Sequence, residues 1–183
     1  MLKLNLASHD VRVEGWLNVD VQDFSAVDIV CDVRYLDIRA KAQVIRASHI
    51  LEHLWPSETE HVLRNWHERL EPGGMLFVSV PDFDWAVQYY LDNSDNTLMW
   101  WEPCFDMRVM TEIYGAFFAL PDDGDAVRYA RHHALFNERS LKSLLESAGF
   151  KDVFRFDPEA EDLMHGFDDA MYLPWSLNMR CRK

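Results

Sequence analysis

VIRASHILEHLWPSETEHVLRNWHERLEPGGMLFVSVPD, residues 44–82, decides the fold because it reads as a strand, a helix and a strand in succession. Residues 44–47 are a short apolar run with polar neighbours. From 57 to 70, Val62, Leu63, Trp66 and Leu70 recur at three- and four-residue spacing, the stripe of an amphipathic helix. Ser57 followed three residues later by Glu60 fits a capping box, and Pro72, Gly73 and Gly74 supply a stop. Residues 75–80 form a continuous apolar run, which suits a strand covered on both faces of a parallel sheet. A right-handed βαβ unit is the expected result.

Working outward, residues 2–6, 16–21 and 27–31 are apolar-rich runs ending near polar or acidic residues, as strands do. The first connector, 7–15, is short, whereas adjacent parallel strands usually need a crossover of about a dozen residues or more. An extended or one-turn link is therefore predicted in place of a helix. Toward the other end, Asn137 can cap a helix in which Leu141, Leu144, Leu145 and Ala148 share a face, and Gly149 can end it. Strands at 152–156 and 177–181 complete the sheet. The predicted fold is a single α/β domain over 1–183, Rossmann-like and doubly wound, with a mostly parallel sheet and an antiparallel terminal strand.

Between about 84 and 131 the pattern changes. Trp85, Tyr89, Tyr90, Trp100, Trp101, Phe105, Tyr114, Phe117 and Phe118 are interrupted at Pro103, Gly115 and Pro121. This stretch reads as an aromatic, helical insertion, a lid over the carboxyl ends of the strands where open α/β sheets bind ligands.

The 183 residues suffice for one core burying roughly 70% of the unfolded surface. Eighteen Lys and Arg against 31 Asp and Glu leave a formal charge of −13 with no basic cluster, which argues against a nucleic acid partner and leaves small or neutral molecules open. Cys31, Cys104 and Cys181 are odd in number and lack CxxC-type spacing, so free thiols in a reducing compartment are expected. No stretch is long and apolar enough to span a bilayer. A cytoplasmic protein without membrane contact is predicted.

SHILEHL (48–54), LEPGG (70–74) and SVPD (79–82), in that order, resemble the class I methyltransferases that use S-adenosylmethionine. The nearest likeness is to the compact, type 11-like branch often found among enzymes of saccharide biosynthesis. LNLASHDVRVEGWLNVD (4–20) resembles the family's first two strands, and HHALFNERSLKSLLESAGFKDVFRFD (132–157) with SLNMRCRK (176–183) resembles its last helix and strands. The resemblance implies methyl transfer from S-adenosylmethionine to a small acceptor, with a saccharide hydroxyl as one candidate. A rival reading is a catalytically silent domain that keeps the fold as a binding or regulatory module. A nicotinamide-dependent dehydrogenase is disfavoured, since no GxGxxG follows the first strand.

The resemblance also implies site residues. Asp20, ending the second strand, would accept from the ribose hydroxyls, with Val21 beside it, while Asp32 and Val33 would hold the adenine. Ser48 and His49, after the fourth strand, would border the methyl group, and His49 is the candidate general base. The first loop departs from the family's GxG phrase: Ala7, Ser8 and His9 stand there, and an imidazole replaces a hydrogen at His9. An outward-swung His9 would leave Ser8 and backbone groups to meet the methionine end of the cofactor. Glu52 and His53 are read as orienting the loop, no metal is expected, and at most one of His132 and His133 is expected to line the pocket.

Overall fold

The structure, a computed structural model, describes residues 1–92, 113 and 131–183. Its strands are β1 (Lys3–Leu6), β2 (Leu17–Asp20), β3 (Ile29–Val30), β4 (Ala42–Ser48), β5 (Leu70–Pro81), β6 (Lys151–Arg155) and β7 (Ser176–Arg182). They form one sheet in the order β3-β2-β1-β4-β5-β7-β6. Every pairing from β3 through β5 is parallel, and β7 runs antiparallel between β5 and β6. The predicted α/β sheet with an antiparallel terminal strand is therefore present. The link 7–16 contains no helix, as its length required.

Alternation along the strands sorts side chains onto two faces. Leu4, Leu6, Ile45, Ala47, Leu76, Val78, Val80, Leu177 and Met179 point to one face. There they meet helix α1 (Pro56–Arg69), through Val62, Leu63 and Trp66, and helix α3 (Glu138–Ser147), through Leu141 and Leu145. Burying each of these larger side chains contributes about 1.5–3 kcal/mol. The opposite face is covered differently. Trp16, Val44 and Phe77 pack against Met164, Phe167 and Met171 from the segment 158–172, which makes three single 3₁₀ turns. Arg46 emerges on this face with its side chain 2% exposed. It donates to Asn5 Oδ1 at 2.9 Å and to both oxygens of Asp169 at 2.6 Å, and its guanidinium lies 3.9 Å from the Phe167 ring centre.

Two local expectations are corrected. Helix α1 begins without a capping box: Trp55 is its N-cap, Pro56 occupies the first helical position, and Glu60 pairs instead with Arg64 at 2.6 Å. Proline's fixed φ suits that position and starts the helix ahead of Ser57. The Pro72-Gly73-Gly74 phrase does not stop the helix either, because Leu70 already pairs with Ala42 in β5. The glycines lie in an irregularity of β5 where the register shifts between Ala42 and Val44. Gly73 is left-handed (φ 77°), and a Cβ on Gly74 would meet the Glu71 carbonyl at 3.0 Å. Helix α3 has its capping box, with Asn137 accepting from the Ser140 amide at 3.0 Å, and Gly149 follows it at φ 105°.

Helix α2 (Phe83–Asp92) opens the predicted aromatic insertion, with Trp85 stacked on Tyr89 at 4.6 Å and near Trp175 at 5.8 Å. The lid's remaining aromatics, Trp100, Trp101, Phe105, Tyr114, Phe117 and Phe118, lie outside the described residues, as does Cys104. Cys31 and Cys181 are free thiols. No helix among the described residues is long and apolar enough to cross a membrane.

Candidate active site

Strand order reverses between β1 and β4, so the loops leaving these two strands diverge and open a crevice at their carboxyl ends. A cavity of about 630 Å³ lies there. Its walls are Ala7 and His9 after β1, Asp20, Val21, Gln22 and Phe24 at the end of β2, and Asp32, Val33 and Arg34 after β3. His49, Ile50, His53, Leu54 and Trp55 follow from β4, and Arg131 and His133 close the rim.

The first loop keeps the backbone course of a glycine-rich turn without glycines. Ala7 (φ 53°) and His9 (φ 47°) are both left-handed, a conformation that costs a residue with a Cβ about 1–2 kcal/mol. Asp20 offsets that strain: its Oδ2 accepts from the His9 amide at 3.0 Å and its Oδ1 from the Gln22 amide at 2.9 Å. The His9 side chain is 68% exposed and its ring rests 4.3 Å from Phe24; both residues line the cavity. Ser8 is buried, its amide bonded to the Val19 carbonyl at 3.2 Å. Ser8 and Ser48 are absent from the cavity lining, and both hydroxyls are buried without a hydrogen-bond partner among the described residues.

Asp32 caps the 3₁₀ turn Val33–Tyr35 through the Arg34 amide and grips the Arg34 guanidinium at 2.6–3.0 Å. The Val33 carbonyl accepts from the Trp66 indole at 2.9 Å, which ties this turn to α1.

His49 is left-handed (φ 50°) and held at both nitrogens. Its Nε2 lies 2.8 Å from Ser176 Oγ, whose hydroxyl donates to the Ala170 carbonyl at 2.5 Å, so Nε2 must be the donor. Its Nδ1 lies 3.2 Å from Glu52 Oε1. Burial pushes the Glu52 carboxyl upward, but the His49 contact and the charges of His49, His53 and His132 outweigh it and hold the group below the usual carboxylate range. Burial, together with the charges of His53 and Arg131, lowers His133, whose ring stacks on Trp55 at 4.0 Å. His132 and His133 diverge as adjacent residues in extended chain should: His133 lines the cavity, and His132 lies edge-on to His53 at 4.8 Å.

A methyltransferase domain profile matches residues 7–153. The chain belongs to the methyltransferase domain family. Solved methyltransferases share its fold. The Burkholderia thailandensis 1,6-didemethyltoxoflavin-N1-methyltransferase, solved with 1,6-didemethyltoxoflavin and S-adenosylhomocysteine, superposes with a TM-score of 0.58 at 18% identity over 100% of this chain and 70% of that one. An S-adenosylmethionine-dependent methyltransferase from Archaeoglobus fulgidus gives 0.57 at 14% identity over 99% and 85%. Human N-acetylserotonin methyltransferase, in complex with S-adenosylmethionine, gives 0.55 at 12% over 100% of this chain. This methyltransferase domain spans 47% of the human chain's length. At these identities the likeness is one of fold. No curated protein matches the sequence.

The motif reading singled out neither Phe24 nor Arg34, Trp55 or Arg131 as cavity residues. Phe24 and Arg34 each sit within a few residues of a chosen aspartate, and Trp55 follows the LEHL phrase directly, so the loops after strand ends were the available signal.

Proposed function

We propose that this domain transfers a methyl group from S-adenosylmethionine to a small acceptor, with a saccharide hydroxyl as one candidate and the cytoplasm as its location. The observation that carries the reading is the cavity across the ends of β1, β2, β3 and β4, with Asp20 closing β2 on its wall. Its size suits a cofactor plus a small molecule, since ligand pockets run about 300–1,000 Å³. When bound, the cofactor supplies a methyl group on a sulfonium leaving group. The chain's own task is then alignment and management of the acceptor's proton.

Each Asp20 oxygen retains a lone pair beyond its amide bond, which suits it to the two ribose hydroxyls. Val33, with Val21 nearby, offers apolar surface to the adenine, and Asp32, braced by Arg34, lies beside it. The backbone of Ala7, Ser8 and His9 follows the methionine end, and Ser48 ends β4, the strand paired with β1. His49 borders the methyl group. With Nε2 donating to Ser176 and Nδ1 facing a carboxylate, it orients the acceptor in this arrangement, and it takes a proton only after one of those contacts is exchanged. The insertion at about 84–131 is assigned the lid of this single 1–183 domain.

Calorimetric titration with S-adenosylmethionine and S-adenosylhomocysteine tests the reading. Binding of both in the micromolar range is expected, with Asp20→Ala weakening it by about 1 kcal/mol or more. No heat and no melting shift at millimolar ligand would reject an enzyme and turn attention to a silent binding domain.

A further inference from the structure

We propose that Glu52, His53 and His132 form a binding site for one divalent transition-metal cation, of the zinc or manganese kind, beside the methyltransferase cavity, whose wall His53 reaches. One ligand atom from each of the three lies within 4.8 Å of the others. Two imidazoles and one carboxylate are a donor set that divalent first-row ions favour. Ligand distances of about 2.0–2.2 Å place neighbouring donors roughly 2.8–3.6 Å apart, so the three side chains must rotate inward to complete the site.

Glu52 supplies the strongest argument. Its side chain is 1% exposed, and while Oε1 faces His49, Oε2 is buried with no hydrogen-bond donor among the described residues. A buried carboxylate oxygen without a donor is unfavourable unless a positive charge meets it. His53 supplies the second. Its Nδ1 lies 2.9 Å from the Arg131 carbonyl, which can only accept, so in the neutral ring Nδ1 carries the hydrogen and Nε2 keeps its lone pair. Metal-bound histidines are oriented in this way, by donating the other ring N–H to a carbonyl or carboxylate.

The scaffold is joined from both sides. The amides of His133 and Ala134 donate to the Glu52 carbonyl at 2.7 and 3.2 Å, which holds the strand-like segment carrying His132 against the turn carrying Glu52 and His53. Asp82, which follows β5, is excluded: its Oδ2 takes the Arg155 guanidinium at 2.7 Å and its Oδ1 the Asp84 amide at 3.2 Å. From sequence Glu52 and His53 are expected to orient the loop and no metal is expected; only the closed fold brings His132 beside His53.

Three protein ligands leave coordination positions open, and His53 stands on the cavity wall. Those positions suit an oxygen of the methyl acceptor, whose hydroxyl a cation would acidify. The assignment to the acceptor rests on the methyl-transfer reading; the metal site itself does not.

The test uses the untagged full chain after chelator treatment, titrated separately with Zn²⁺, Mn²⁺ and Co²⁺. One ion per chain, a rise in melting temperature and a Co²⁺ absorption band are expected. His132→Asn and Glu52→Gln should each weaken binding by about tenfold or more, and His61→Ala, on the exposed side of α1, should leave it unchanged. His132→Asn keeps the proposal testable should the buried Glu52 variant fail to fold. Absence of stoichiometric binding of any of the three ions, or binding unaltered in His132→Asn, overturns the site. Titration of the same samples with S-adenosylhomocysteine separates the two ideas: a chain that binds metal but not the cofactor product removes the methyl-transfer reading alone.

Discussion

Ala7 and His9 hold left-handed backbone that a hydrogen side chain would reach more easily, and Asp20 is the residue that keeps them there through the His9 amide. Ala7→Gly and His9→Gly should each stabilise the protein by about 0.5–1 kcal/mol, the left-handed penalty less glycine's extra chain entropy. Chemical denaturation measures this directly, and a loss of stability in both variants would mean that the side chains contribute more packing than the backbone strain they impose. The imidazole of His9 rests on Phe24, and both rings line the cavity. At this scale the sequence was informative where a residue ends a strand. Asp20, Asp32 and His49 reach the cavity because strand ends point there in any sheet of this order. The stacking of Trp55 on His133, from distant parts of the chain, was invisible because only the closed fold joins them.

Elements were legible in type and approximate extent, and least so at their ends. The pattern Ser57 to Glu60 was a real capping signal that lost to Pro56, one residue ahead, and the glycines after α1 went into an irregular strand because Leu70 found a partner in Ala42 before the chain turned. Both errors arise where two local preferences compete and pairing decides. The end of α1 carries a pH response. Burial lowers the affinity of His67 for a proton, and the nearby Lys183 charge adds to this against the opposing effect of Glu68. The ring lies edge-on to Phe150 at 5.0 Å, and Arg64 and the Gly149 backbone also face it. The folded value thus lies below the 6.5 of the unfolded chain. The unfolded state then binds more protons in that window, so this contribution to stability is complete above pH 6.5 and is lost as pH falls through the folded value. Melting curves from pH 7.5 to 5 should show this decline, and His67→Gln should flatten it; an unchanged slope in the variant would exclude His67 as its source.

The whole molecule is a sheet with unlike coverings. One face carries α1 and α3, which the helical stripes announced. The segment 158–172 on the other face makes single turns, which have no periodicity to detect in the sequence. That covering is fastened by Arg46 and Asp169, 123 residues apart. Asp169→Ala would leave a buried guanidinium without its carboxylate and should cost about 3–5 kcal/mol in urea unfolding; a cost under about 1 kcal/mol would show that Asn5 and the Phe167 ring suffice for the charge. The same long-range closure governs β7. This strand inserts between β5 and β6 although it follows both in the chain. During translation, β5 therefore waits as an open sheet edge, with Val78 and Val80 flanked by unmet backbone groups, until residues 176–182 leave the ribosome. An unpaired apolar edge is a template for another chain, so crowding of nascent copies at that stage favours aggregation over folding. Folding yield is thereby exposed to how promptly β7 is delivered, a kinetic property that the stability of the finished domain does not report.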